Sequence, residues 1–157
     1  MKPDIRILLH NIRSAHNVGS IFRTSDAIGV SWVYLSGYSP LPLDKFGRPV
    51  KEIAKTALGG ELSIPWESVK NTSRLINKLK AEGFSVVAIE QDARAVDYKS
   101  FIPSGRTLVL VGNEVLGLSK ALKSKADTVV DIPMAGTKES LNVSVAYGIA
   151  MFRLFDR

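Results

Sequence analysis

There is no cysteine anywhere in the 157 residues, which excludes disulfide scaffolds, thiol nucleophiles and thiolate zinc sites. Histidine is nearly as scarce. His10 and His16 are the only two in the chain, too few for a histidine-rich metal centre, so no metal is expected. No run of about 18 apolar residues occurs, and Met1-Lys2-Pro3-Asp4 leads into no hydrophobic stretch long enough for a signal peptide. The expectation is a soluble, cytoplasmic protein with no membrane partner. Two nucleotide signatures are missing as well. No G-x-G-x-x-G follows an apolar run, and the segment Gly112-Asn113-Glu114-Val115-Leu116-Gly117-Leu118-Ser119 has Leu118 where a phosphate-binding loop needs lysine. Nucleotide hydrolysis is set aside on that ground.

What remains has an ordinary globular balance, 45% hydrophobic and 23% charged, and a length that suits one domain. The net charge is +6, and residues 1–60 hold eight Lys/Arg against four Asp/Glu. A surplus of this sign points to a polyanionic partner. The face expected to meet it draws on Arg6, Arg13, Lys45, Arg48, Lys51 and Lys55, with the loop residues Arg13, Lys45 and Arg48 foremost.

Short apolar runs alternate with helical patterns. Ile5–Leu9, Trp32–Ser36, Ser85–Ile89, Thr107–Val111 and Thr128–Ile132 read as strands, several without the alternation of a half-exposed sheet. Helices are expected at Val18–Ile28, capped by Asn17 and stopped by Gly29, and at Lys51–Leu58. Further helices are expected from Ser68 to a stop at Gly83, at Ser119–Lys125 and at Leu141–Phe155. Gly37–Pro49, rich in proline and glycine, reads as a mobile loop. The pattern gives an α/β fold with a mainly parallel sheet flanked by helices. Apolar residues circle the closing helix almost completely, so either other helices flank it or, the reading preferred, a second subunit covers one side of it.

Ligands of open α/β sheets bind at the carboxyl ends of the strands. Three polar, glycine-bearing segments follow predicted strands: Asn11 to Arg23, Gly112 to Ser119, and Pro133 to Asn142. Asn17 to Ala27 with Gly29 resembles the first motif of the TrmH/SpoU family of RNA 2′-O-methyltransferases. Gly112-Asn113-Glu114 with Gly117-Leu118-Ser119 resembles the second, and Ile132-Pro133-Met134 with Ser140 to Ala146 the third. The motifs come in family order and span essentially the whole chain.

That resemblance implies a SPOUT fold with a C-terminal trefoil knot, S-adenosylmethionine as cosubstrate, and a homodimer through the C-terminal helix. It implies catalytic roles for Arg23, Asn17, Glu114, Ser140 and Asn142, with Asn17 orienting Arg23 or contacting RNA and Glu114 holding Arg23 or a third-motif side chain. A guanidinium stays protonated, so Arg23 is read as binding phosphate and stabilising developing negative charge. Ile132, Met134 and Leu141 are expected around the adenine, with Glu90, Gly112 and Ser140 also on the cofactor side. Gly112 is assigned there because a missing side chain lets backbone approach a ligand. Ser140 reads in addition as the cap of the closing helix. Residues 1–157 are expected to be one methyltransferase domain without an added RNA-binding domain, which by analogy favours tRNA as substrate. The alternatives are an rRNA 2′-O-methyltransferase and a non-catalytic RNA-binding module of the same fold.

Overall fold

Each unbroken apolar run becomes a strand, and the strands lie side by side in one sheet. In a computed structural model, which describes residues 2–155, the order of elements is β1 Asp4–His10, α1 Ala15–Ile28, β2 Trp32–Ser36, α2 Lys51–Ala57 and α3 Gly60–Ser63. There follow β3 Trp66–Val69, α4 Thr72–Ala81, β4 Ser85–Ile89, β5 Val96–Asp97, β6 Arg106–Val111, α5 Lys120–Lys125, β7 Thr128–Asp131 and α6 Val143–Leu154. The sheet order is β3-β2-β1-β6-β4-β7-β5, and every pairing is parallel.

Alternation along β1 decides what each face packs against. Ile5, Ile7 and Leu9 meet Val18, Ile21 and Phe22 of α1 and Tyr147, Ala150 and Met151 of α6. Leu8 points the other way, toward Ile76 and Leu79 of α4 and Leu122 of α5. Both faces are therefore dry, which is why β4 and β6 carry no polar alternation. One buried polar pair lies in the first layer: the hydroxyls of Ser25 and Tyr147 are 2.7 Å apart and join α1 to α6.

Several local expectations are corrected. The cap of α1 is Ser14, whose Oγ accepts from the Asn17 N–H, so the helix begins before Asn17. The cap of α6 is Asn142 and not Ser140, because Asn142 Oδ1 accepts from the Ser144 and Val145 N–H groups. Val69 belongs to the edge strand β3, paired with β2; the helix expected from Ser68 starts only after Asn71, its capping residue. The helical spacing of Val69, Ile76 and Leu79 had disguised that strand. The two-residue strand β5 was too short to show any periodicity.

The segment after β2 is a built turn and not a shapeless loop. Asp44 Oδ1 accepts from the Phe46 and Arg48 N–H groups, and a bridge between Leu43 and Pro49 closes the base. On α6, Tyr147, Ala150, Met151 and Leu154 are buried. Val145, Ile149 and Phe152 form an opposite stripe that remains 48%, 40% and 39% exposed.

Candidate active site

Parallel strands put their carboxyl ends on one edge, and there the loops after β4, β6 and β7 enclose a cleft of about 250 Å³. Ile89 and Glu90 close the β4 side, and Gly112, Asn113, Glu114 and Gly117 the β6 side. Ile132, Met134, Ser140 and Leu141 come from the segment after β7, with Val143 and Ala146 of α6 behind them. The wall mixes apolar side chains with carboxylates, Asp131 and Glu139 on the β7 side facing Glu90 and Glu114 on the other.

Glu114 fastens the first loop to this cleft. Its Oε2 accepts from the Arg13 N–H at 2.9 Å; its Oε1 accepts from the Ser14 N–H and from Asn17 Nδ2, both at 3.1 Å. Burial pushes the Glu114 carboxyl up, but these donors outweigh it and hold the group below the usual carboxylate range. Asn142 Nδ2 donates to Asn17 Oδ1 at 3.2 Å, while Asn142 Oδ1 caps α6. Because Ser14 has taken over the cap of α1, the Asn17 side chain is available to link Glu114 to Asn142. Three segments far apart in sequence are joined through these three side chains.

Glu90 steadies the far side. Its Oε2 accepts from the Leu118 N–H at 2.9 Å, and Gly117 lies against the same carboxylate with φ +67°. A Cβ on Gly117 would stand 2.4 Å from Glu90 Oε2. Gly112 lines the cleft. A Cβ there would meet Leu118 N at 2.6 Å and Gly117 C at 2.7 Å, so the loop's own closure requires the missing side chain.

The structure does not bring every candidate to the cleft. Arg23 lies on α1 in a shallow groove with Ser20, Lys55, Thr56 and Phe152. Glu114 is committed to the first loop instead of to Arg23, and among the described residues Asn17 makes no hydrogen bond to Arg23. Arg13 is on the rim, its N–H on Glu114 and its side chain exposed. Lys45 and Arg48 flank the exposed Phe46 ring, with Lys45 Nζ at 5.1 Å and Arg48 Cζ at 4.9 Å from its centroid. Arg6 leaves the expected cationic face: it pairs with Asp4 at 3.1 Å and lies over Phe84 at the amino end of the sheet. His10 Nδ1 lies 2.8 Å from Ser36 Oγ, and burial pushes the ring's pKa down, which favours the neutral form.

Asn11, Tyr38 and Asn113, to which the motifs assign no role, are joined beside the cleft. Asn113 Nδ2 donates to the Asn11 carbonyl at 3.0 Å and to the Tyr38 hydroxyl at 2.8 Å. Asn11 adopts φ +56° and accepts the Tyr38 N–H on its Oδ1. The signal was there in principle, since asparagine tolerates left-handed backbone at a strand end.

A family model described as the SpoU rRNA methylase family matches residues 4–152. The chain belongs to that family. It is 33% identical over 150 residues to the 23S rRNA (guanosine-2′-O-)-methyltransferase RlmB of Pseudomonas syringae, covering 96% of this chain and 57% of the relative. The S-adenosylmethionine-bound rRNA methyltransferase of Sinorhizobium meliloti superposes with a TM-score of 0.85 at 33% identity, over 98% of this chain and 56% of that one. The A. aeolicus TrmH/SpoU tRNA modifying enzyme does so with a TM-score of 0.83 at 29% identity, over 99% and 75%. The chain spans 57–58% of the length of the curated relatives it matches. The architecture is accordingly that of the SpoU methyltransferases, with the cleft at the edge where the three motifs meet.

Proposed function

We propose that this chain is a cytoplasmic, S-adenosylmethionine-dependent RNA ribose 2′-O-methyltransferase that works as a homodimer. The observation that carries the reading is the joining of the three motifs by Glu114, Asn17 and Asn142 beside a cleft whose walls suit an adenosyl group. Ile132, Met134 and Leu141 would hold the adenine, while Ser140 and Glu90 would offer polar contacts. When bound, the cosubstrate supplies an activated methyl group, which a ribose hydroxyl accepts with loss of a proton, leaving S-adenosylhomocysteine.

The residues of the chain contribute positioning and charge. Holding the hydroxyl in line can supply about 7–11 kcal/mol of the barrier. Arg23, with Lys55 beside it in the groove, would bind a phosphate and stabilise the developing alkoxide. Its distance from the cleft is explained by the homodimer. Phe152, at the carboxyl end of α6, lines the Arg23 groove, while Val143 and Ala146, at the amino end, line the cleft. A two-fold axis across the exposed stripe, with the two α6 helices antiparallel, sets the Arg23 groove of one subunit against the cleft of the other.

For the acceptor we propose tRNA, supported by the likeness to the A. aeolicus tRNA modifying enzyme. A second reading, ribosomal RNA, is favoured by the 33% identity to RlmB. Incubation with labelled S-adenosylmethionine and separated cellular RNAs, followed by mass-spectrometric mapping of 2′-O-methyl nucleotides, decides between them. Label on neither RNA, with no calorimetric binding of S-adenosylhomocysteine, would overturn the proposal.

A further inference from the structure

The turn after β2 exposes an aromatic ring that belongs to neither hydrophobic core. Phe46 is 69% exposed at the tip of the segment, far more than a ring of that size normally is when it serves the core. The tip is held firmly. Asp44 Oδ1 receives the Phe46 N–H at 2.8 Å and the Arg48 N–H at 2.9 Å, and Asp44 Oδ2 receives Arg48 Nε at 2.9 Å. Asp44 N–H and the Arg48 carbonyl add a backbone bond of 2.8 Å, and Gly47 turns the chain at φ +76°. Two cations border the ring, yet most of it faces solvent.

The foot of the same segment is fixed to the cleft. Tyr38, 58% exposed, bonds through its hydroxyl to Asn113, which lines the cleft, and through its N–H to Asn11. The segment therefore rises from the edge where a substrate would sit, carrying a largely exposed aromatic ring with two positive charges over it. An aromatic face flanked by cations matches unpaired nucleotides, whose bases stack while their phosphates pair with the charges; a duplex keeps its bases stacked on one another.

We infer that Phe46 is a stacking platform for an unpaired base, so that the substrate presents its target ribose in a loop or single-stranded region. The inference rests on the RNA methyltransferase reading and narrows it to a class of substrate. Phe46 is not part of the cleft, and its exposure makes its replacement harmless to the fold.

The test uses an RNA hairpin carrying 2-aminopurine in its unpaired loop, a perfect duplex of matched composition, and S-adenosylhomocysteine. The full chain is expected to quench the 2-aminopurine fluorescence and to bind the hairpin more tightly than the duplex. Phe46→Ala and Phe46→Leu should weaken hairpin binding by roughly 5- to 150-fold and abolish the quenching, while Phe46→Trp preserves both. The salt slope should not change in these variants, since stacking neutralises no phosphate. S-adenosylhomocysteine affinity should also stay the same. Unaltered hairpin affinity and quenching in Phe46→Ala would overturn the inference and leave the enzyme reading standing. So would an equal loss on the duplex, or a loss accompanied by a shallower salt slope, which would mean that the ring only arranges Lys45 and Arg48. If the full chain binds neither RNA yet holds S-adenosylhomocysteine, the platform is refuted; if it binds none of the three, the enzyme reading falls as well.

Discussion

Replacing Glu114 by glutamine keeps the size of the side chain but removes its charge, and the effect can be worked out bond by bond. In Glu114→Gln the amide oxygen can still accept from Ser14 and Asn17, but the amide nitrogen then faces the Arg13 N–H, donor against donor. Hydrogen bonds to charged groups contribute about 1.5–3 kcal/mol when well buried. Here the site is half-buried and water can reach Arg13, so a loss of about 1–2 kcal/mol is expected. For a chain of this length that lowers Tm by roughly 2–8 °C. Glu114→Ala forfeits all three acceptor contacts and should cost about 2–4 kcal/mol. The pH dependence is the sharper check. The folded carboxyl is held below its unfolded value, so its stabilisation is present above about pH 4.3 and disappears as pH falls through the lower folded value. Thermal melts followed by circular dichroism at fixed protein concentration, from neutral pH downward, should show the two curves converging in acid. A Tm difference between wild type and Glu114→Gln that does not shrink at all as pH falls from about 4.3 into strong acid would refute the carboxylate's role. Equal melting at neutral pH would refute it too.

Gly112→Ala should spare the folded core yet disturb the loop, since its Cβ would stand 2.6 Å from Leu118 N; calorimetry should show S-adenosylhomocysteine affinity falling at least about tenfold, about 1.4 kcal/mol. Arg13→Ala should shallow the slope of log K against log salt by about 0.7 for single-stranded RNA, with S-adenosylhomocysteine binding unchanged, whereas Lys120→Ala should alter the slope less. If Arg23 serves the partner's cleft, mixing inactive Arg23→Ala with inactive Ser140→Ala should restore about one quarter of wild-type methyl transfer, because half of the mixed population pairs one intact groove with one intact cleft. No recovery after subunit exchange would place both groups within one subunit.

Much of the fold was legible because its strands are buried on both faces and so stand out as uninterrupted apolar runs, as at Ser85–Ile89 and Arg106–Val111. Strand β3 was not, since Trp66–Val69 is an edge strand with exposed Glu67 and Ser68, and its one aliphatic residue matched the helical spacing of α4. Both cap assignments slipped for a single reason. Ser14 and Asn17, and likewise Ser140 and Asn142, are all competent caps, and propensity cannot rank neighbours when tertiary contacts decide. Several side chains that line the cleft, Ile132, Met134, Ser140 and Leu141 among them, could be named from the motifs, whereas Gln91, Asp131 and Glu139 could not. How they divide the work could not, because the pairing of Glu114 with residues a hundred positions earlier depends on the strand order. The place of Arg23, alongside Phe152 and Lys55, was hidden for the same reason.

Strand β6 sits between β1 and β4, so the first strand of the chain receives its second neighbour only from residues 106–111. During synthesis β1 can pair with β2, and β2 with β3, long before that neighbour exists. The inner edge of β1 must therefore stay unsatisfied while the intervening chain emerges, and β6 must then enter between strands that are already made. Closing so long a loop carries an entropic cost that local pairings do not, which makes insertion of β6 the natural slow step in folding. Glu114 follows β6 by only a few residues, so the bonds that draw the first loop to the cleft form with that same insertion. A nascent or truncated chain ending before residue 106 has the strands of the first half but no cleft, and the cleft is complete only once β7, the segment after it and α6 have joined what β6 brings.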